Sequence, residues 1–235
     1  MSRNSHGQNK IELLKVGWDR KGIFLDRPNR FIGIVDIDGS PEKVHIHDPG
    51  RLEELLYKEN EVLLKHVDKP DRKTRWELIA SRYENQWVFT NSGYHRRISE
   101  NIVERIFENA GIRAEVKVGH SRLDFLVEEK GGRKGVEVKG CTLTENGVAL
   151  FPDAPTERGR KHLQTLMDII DSEDSAMLMI LVFRKDIRCF APNERTAPRF
   201  AEIFKKAVEK GVEVRPMLLE YDGESVWWLG EIGLC

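Results

Sequence analysis

The sequence predicts a mixed α and β fold in two parts: a small closed β-barrel over residues 1–90, then a mixed sheet flanked by helices over residues 91–235. Three observations predict it. Short apolar runs separated by turn residues fill the first part. After Asn91-Ser92-Gly93, apolar stripes at helical spacing alternate with strand-like runs. With 235 residues, 40% hydrophobic and 33% charged, the chain suits a small globular domain followed by a medium one.

In the first part, residues 30–37 carry Phe31, Ile32, Ile34, Val35 and Ile37 and end at Asp38-Gly39, a hairpin-type pair. Residues 43–47 pair back onto them, and 61–67, 76–82 and 86–90 supply further strands. Residues 51–57 read as one short helix. Asp68-Lys69-Pro70-Asp71 reads as a loop, because proline and aspartate favour leaving a strand. About five strands with one helical insertion suggest the oligonucleotide-binding (OB) fold.

In the second part, Ser99 can cap a helix running to about Ala110, with Ile102, Val103, Ile106, Phe107 and Ala110 on one face and Gly111 ending it. Strands are expected at 113–118, 123–128, 135–139 and 148–151. A helix over 157–171 places Leu163, Leu166, Met167 and Ile170 on one side. A central strand at 176–183, a helix over 199–210 and strands at 212–219 and 225–229 complete the sheet.

Composition excludes several function classes. No apolar run approaches the ~20 residues needed to cross a bilayer. The polar stretch from Met1 to Lys10 lacks the apolar core of a secretory signal, so a cytoplasmic location without membrane attachment is expected. Cys141, Cys189 and Cys235 are odd in number and far apart; they read as buried or incidental thiols, not a disulfide framework or zinc site. The net charge of −1 means that any nucleic-acid binder here must concentrate its cations on one face. One stretch does so: Lys65, Lys69, Arg72, Lys73, Arg75 and Arg82 outnumber Asp68, Asp71 and Glu77, with Trp76 beside them as a stacking platform.

The chemistry concentrates in two strands. In 123–127 most positions are apolar, yet Asp124 places a carboxylate among them. In Gly135-Val136-Glu137-Val138-Lys139 the pleat sends Glu137 and Lys139 to one face. Lys130-Gly131-Gly132 makes a tight turn, so the strands are hairpin neighbours and Asp124 can approach Glu137. Two hard carboxylates suit Mg²⁺ or Mn²⁺, which polarises a phosphate oxygen and lowers the pKa of bound water. A lysine beside them can orient that water. The bland alternative is an ordinary salt bridge on an exposed strand. Further on, Thr156 can cap a helix whose first turn holds Arg158, with His162 four residues later on the same face and Lys161 beside it. These groups suit a phosphate at the mouth of the site; the alternative is a solvated basic turn.

The Asp124, Glu137-Val138-Lys139 constellation resembles the PD-(D/E)xK nuclease superfamily. The run from Phe151 to Leu163, Arg122-Leu-Asp-Phe-Leu126, Asn29-Arg-Phe31 and Arg72-Lys-Thr74 together resemble the sugar fermentation stimulation protein family (SfsA) over nearly the whole chain. That resemblance implies an OB-like domain joined to a PD-(D/E)xK nuclease-like domain, and an association with DNA. It also implies a further acidic ligand on the first helix. Glu100 and Glu104 are both available there, and the family pattern around Asn101 favours Glu104. Where many relatives have a His-Cys-Pro-Asn-Thr-Gly-Arg type of segment, this chain reads His45-Ile-His-Asp-Pro-Gly-Arg51. His45 and His47 share a strand face there and read as a surface pair sooner than as metal ligands.

Two function classes follow. One is a Mg²⁺-dependent nuclease that holds nucleic acid, DNA first, through Arg30, Arg51, Arg72, Lys73, Arg75, Arg158 and Lys161. Its catalytic groups would be Asp124, Glu137, Lys139 and His162, and its metal ligands Glu104, Asp124 and Glu137. The other is a non-catalytic DNA-binding regulator of sugar metabolism genes on the same scaffold. A homodimer is compatible with both. A sugar-directed enzyme finds no support, since no Gly-rich phosphate loop and no carboxylate pair with aromatic platforms occur.

Overall fold

The computed structural model describes residues 10–68, 72–118 and 121–235. Lys69, Pro70 and Asp71 of the loop expected at 68–71, and the polar start before Lys10, lie outside them.

The strands β1 (Ile11–Lys15), β2 (Arg20–Asn29), β3 (Ile32–Ile37), β4 (Ser40–His45), β5 (Glu61–His66), β6 (Trp76–Tyr83) and β7 (Gln86–Phe89) occupy the first part. β2 pairs with β3 and β5, β3 with β4, and β5 with β6; a parallel pairing of β4 with β6 at Val44↔Trp76 closes the barrel. The expected barrel is present with a changed membership. β2 takes the place expected of 86–90, which instead leaves the barrel to meet the second domain. Charged residues and Pro28 hide β2 from periodicity, while only its alternate members Gly22 and Phe24 are buried. The hairpin at Asp38-Gly39 stands as expected, with both residues at positive φ (53° and 85°) between the paired Ile37 and Ser40. The helix expected at 51–57 is a single turn, in which Leu55 and Leu56 both donate to the Leu52 carbonyl. Leu52 and Glu59 have φ of 51° and 72°, which a helix cannot continue through.

The second part contains α1 (His95–Ile106), β8 (Gly111–Val118), β9 (Ser121–Glu129), β10 (Gly132–Cys141), β11 (Thr144–Glu145), β12 (Val148–Phe151) and α2 (Glu157–Asp171). It continues with β13 (Ser175–Val182), β14 (Cys189–Pro192), α3 (Pro198–Glu209), β15 (Glu213–Tyr221), β16 (Ser225–Glu231) and β17 (Gly233–Leu234). β10, β13 and β15 run parallel, while β8 and β9 extend the sheet antiparallel. β13 is buried on both faces, and its alternation sorts the helices. Met177, Met179 and Leu181 share a core with Ile98, Ile102 and Val103 of α1 and with the barrel interior. Leu178, Ile180 and Val182 face Leu163 and Leu166 of α2 and Phe200 and Phe204 of α3.

α1 begins five residues earlier than expected, with Tyr94 at the cap position in place of Ser99. The Asn91 side chain accepts from Gly93 N–H and starts a 3-10 turn that runs directly into the helix. Ser99 is therefore inside the helix, its hydroxyl donating to the His95 carbonyl, and not its cap. The helix also ends earlier, at Ile106, and Gly111 opens β8. Thr156, in contrast, caps α2 as expected, its Oγ1 accepting from Gly159 N–H at 3.0 Å.

The two parts share one sheet. β1 pairs with β16, and Trp87 of β7 lies opposite Tyr221 of β15. Arg184 adds to the junction, stacking 3.9 Å over Tyr83 while donating to Asp186. Cys189 and Cys235 form a disulfide that ties the chain end, after β17, to β14. This corrects the reading of incidental thiols: 46 positions of sequence separation conceal a contact that only strand pairing creates. Cys141 is a buried thiol. Among the described residues no helix is long and apolar enough to cross a membrane.

Candidate metal and nucleic-acid site

The β9–β10 ladder starts at Glu129↔Gly132 and runs to Phe125↔Val136. One step further, Glu137 stands opposite Asp124, and residues opposite one another in an antiparallel pair share a face. The strands separate at this step. The Asp124 side chain takes over from the backbone there, its Oδ2 accepting from Val138 N–H at 2.7 Å. Both carboxylates thus stand at the open end of a hairpin, with Lys139 two residues beyond Glu137 on the same face.

α2 closes this face. Glu137, whose side chain is 3% exposed, receives hydrogen bonds at Oε1 from Lys139 Nζ and His162 Nδ1. Arg158 Nε donates to His162 Nε2 at 3.3 Å, and Lys139 Nζ lies 3.0 Å from His162 Nδ1. Arg158, His162 and Lys139 thus converge on the buried Glu137 carboxylate.

Asp124 and Glu137 titrate in opposite senses. Burial would raise the Glu137 pKa, but the His162 hydrogen bond and the charge of Lys139 outweigh it and hold the group below its ordinary value. Burial and then the neighbouring Glu137 charge push Asp124 up, against the pull of Val138 N–H and Lys139. Asp124 is the carboxylate left without a full counter-charge.

Asp124, Lys139 and Arg158 border a cleft of about 500 Å³, with Glu137 and His162 behind them. The barrel contributes Asp48 and Pro49 to its wall, and α1 contributes His95, Arg96 and Ser99. Arg158 and Gly159 of α2 close it. Gly140 admits the His95 ring, since a Cβ there would sit 2.2 Å from its Cε1. Burial and Lys139 lower the His95 pKa to about 4. A clamp holds the Asp48 loop: Arg27 donates to the carbonyls of Asp48 and Arg51, and Arg51 N–H donates to Asp153 Oδ2 at 2.6 Å.

The structure brings Asp124, Glu137, Lys139, Arg158 and His162 together. It does not bring Glu104 to them: that side chain is exposed and does not border the cleft. Glu100 instead pairs with Arg96 at 3.1 Å. Among the described residues no three or more His, Cys, Asp or Glu side chains are arranged to hold a metal by themselves. Arg30, Arg51, Lys73, Arg75 and Lys161 are exposed, and Arg30 borders a second pocket beside the cleft that Asp48 shares. Arg72 is committed to Glu77 at 3.1 Å. Trp76 is partly buried and edge-on to His66. His45 and His47 meet edge to face, and His47 Nε2 bonds Glu77 at 3.1 Å. His95 and Arg96 were missed, because an early helix start cannot be seen in an apolar stripe that begins at Ile102. The Lys139-Gly140 step and the 45–51 segment carried the available signals for Gly140 and Asp48.

Residues 89–225 match the family model described as the sugar fermentation stimulation protein RE domain, and residues 25–90 match the SfsA N-terminal OB domain. A sugar fermentation stimulation protein homolog of Methanococcoides burtonii is 45% identical, over 95% of this chain and 95% of the relative. One from Thermotoga neapolitana is 46% identical over 94% and 98%. Among solved structures, Pyrococcus furiosus SfsA in complex with Ca²⁺ superposes with a TM-score of 0.87 at 31% identity, over 96% of this chain and 99% of that one.

Proposed function

We propose, for a chain that belongs to the sugar fermentation stimulation protein (SfsA) family, that it binds DNA and cleaves phosphodiester bonds in the cleft between its barrel and its second domain. One observation carries the reading: where the β9–β10 ladder ends at Phe125↔Val136, Asp124 bonds Val138 N–H, next to Glu137, and Lys139 bonds Glu137. The donor set fits a hard divalent cation. Asp124 is a buried carboxylate short of counter-charge, and only one of its oxygens is taken by Val138 N–H. Asp124 and Glu137 would hold Mg²⁺ or Mn²⁺, with water completing the shell. That the Pyrococcus furiosus relative was solved with Ca²⁺, another oxygen-seeking ion, supports this choice. When bound, the cation supplies charge neutralisation at the phosphate and lowers the pKa of a bound water.

The chain's own groups do the rest. Lys139 donates to Glu137 and can hold the attacking water in line with the leaving oxygen. As the water oxygen bonds to phosphorus, the ester P–O bond breaks; the water gives up one proton and the departing oxygen takes up one through solvent, leaving a phosphate monoester and an alcohol. Arg158, anchored on His162, places a cation at the phosphate. The exposed cations Arg30, Lys73 and Arg75 of the barrel suit contacts to the flanking backbone.

A panel of labelled DNA and RNA with Mg²⁺, Mn²⁺ or EDTA tests the reading. Native protein should cut with a metal and not in EDTA, and Lys139→Ala should bind but not cut. Binding without turnover under every condition would leave a non-catalytic DNA-binding regulator.

A further inference from the structure

Arg96 is the group in this cleft that its protein surroundings leave incomplete. It sits in the first turn of α1, on a different element from Lys139 of β10 and His162 of α2. Its guanidinium lies 4.4 Å over the Phe125 ring and donates through Nη2 to Glu100 at 3.1 Å. Its Nη1 is buried and has no acceptor among the described residues. A buried charged donor without an acceptor costs free energy unless something else completes it. The neighbouring His95 also borders the cleft. Its backbone carbonyl accepts from Ser99, but neither ring nitrogen bonds any described residue, and the imidazole is held neutral. Both side chains border the cleft that Asp124, Lys139 and Arg158 border.

A phosphodiester oxygen suits both groups. Guanidinium binds it in a planar, charge-assisted pair, and stacking on Phe125 fixes the plane beforehand. A neutral imidazole always has one N–H to give. The side chain most able to divert Arg96 is Glu100, which takes one nitrogen and leaves the other.

We propose that Arg96, assisted by His95, is a phosphate-contact residue of the cleft, gripping a phosphodiester from the α1 side while Arg158 holds the strand from the α2 side. This rests on the reading of the cleft as a DNA site, though not on cleavage there.

The test measures binding of a short DNA duplex in Ca²⁺ across a salt series. Arg96→Met keeps an unbranched chain over Phe125 and removes the charge. It should weaken binding about tenfold or more and make the slope of log affinity against log salt shallower by about 0.9, the value for one lost phosphate contact. His95→Gln should weaken binding less and leave the slope unchanged. Arg96→Lys covers the case in which the methionine variant does not fold: it should keep the native slope and lose several-fold in affinity, because the planar fork is gone. A native slope in Arg96→Met, or native affinity in Arg96→Lys, overturns the proposal; so does native protein that binds no DNA. Native protein that binds but never cuts in Mg²⁺, with the slope still shallower in Arg96→Met, removes the nuclease reading and leaves the contact standing.

Discussion

Glu77 in the barrel and Glu137 in the second domain are both buried glutamates with a histidine and a cation for company. Glu77 receives His47 and Arg72, and Glu137 receives His162 and Lys139. In each, burial would raise the pKa and the partners reverse the shift. The difference lies next door. The barrel cluster is closed, each charge facing its opposite. The cleft cluster stands opposite Asp124, a second carboxylate pushed up by burial and by Glu137, and beside a guanidinium with an unused nitrogen. Residue types alone do not separate structure from function here; the uncompensated neighbour does.

Four measurements can break or sharpen this contrast. The largest effect is expected on cleavage. Asp124→Asn should lower kcat/KM by about 10³-fold or more, a loss of about 4 kcal/mol in transition-state stabilisation. Glu77→Gln should stay within about threefold of native, and an equal loss in a folded Glu77→Gln protein would erase the distinction. Next is thermal stability with and without Ca²⁺. Saturating ion should raise the native midpoint by several degrees through linkage, and Glu77→Gln should keep that gain while Asp124→Asn abolishes it.

Third, urea unfolding in EDTA should reverse the ranking. Glu77→Ala leaves His47 and Arg72 facing a lost partner and should cost about 2 kcal/mol. Asp124→Asn relieves a like-charge contact and should be neutral or stabilising by up to about 1 kcal/mol. The smallest effect lies in the acid limb of the stability curve in EDTA. Glu77 is held low, so its contribution is complete above the ordinary glutamate value of 4.5 and is lost as pH falls through its lower folded value. Asp124 is held high, so the cost of its charge is present above its folded pKa and disappears as pH falls towards 3.8. Glu77→Gln should flatten the loss below pH 4.5, and Asp124→Asn should remove the stability loss that sets in as pH rises above 3.8. Melts from pH 3 to 7 that superimpose for both variants would contradict these assignments.

Local chemistry is what the chain carries in its own order. Strand alternation put Glu137 and Lys139 on one face, the tight turn after Glu129 set the register that brings Asp124 opposite Glu137, and Thr156 announced α2 because a cap acts within three residues. Where local pattern and tertiary partner disagreed, the pattern misled. Ser99 looked like a cap but lies within α1, because Asn91 starts the turn sooner. No strand was expected over the charged stretch of β2, yet its place between β3 and β5 completes the barrel.

Tertiary structure alone decided three things. It joined Cys189 to Cys235, merged the two parts through β1–β16 and β7–β15, and brought Arg96 and His95 to the cleft while leaving Glu104 in solvent. The physical reason is common to all three. Hydrogen-bond caps, turns and pleat alternation act over a few residues and are written in neighbouring side chains. Pairing and burial between distant segments depend on which surfaces meet once the chain has closed on itself.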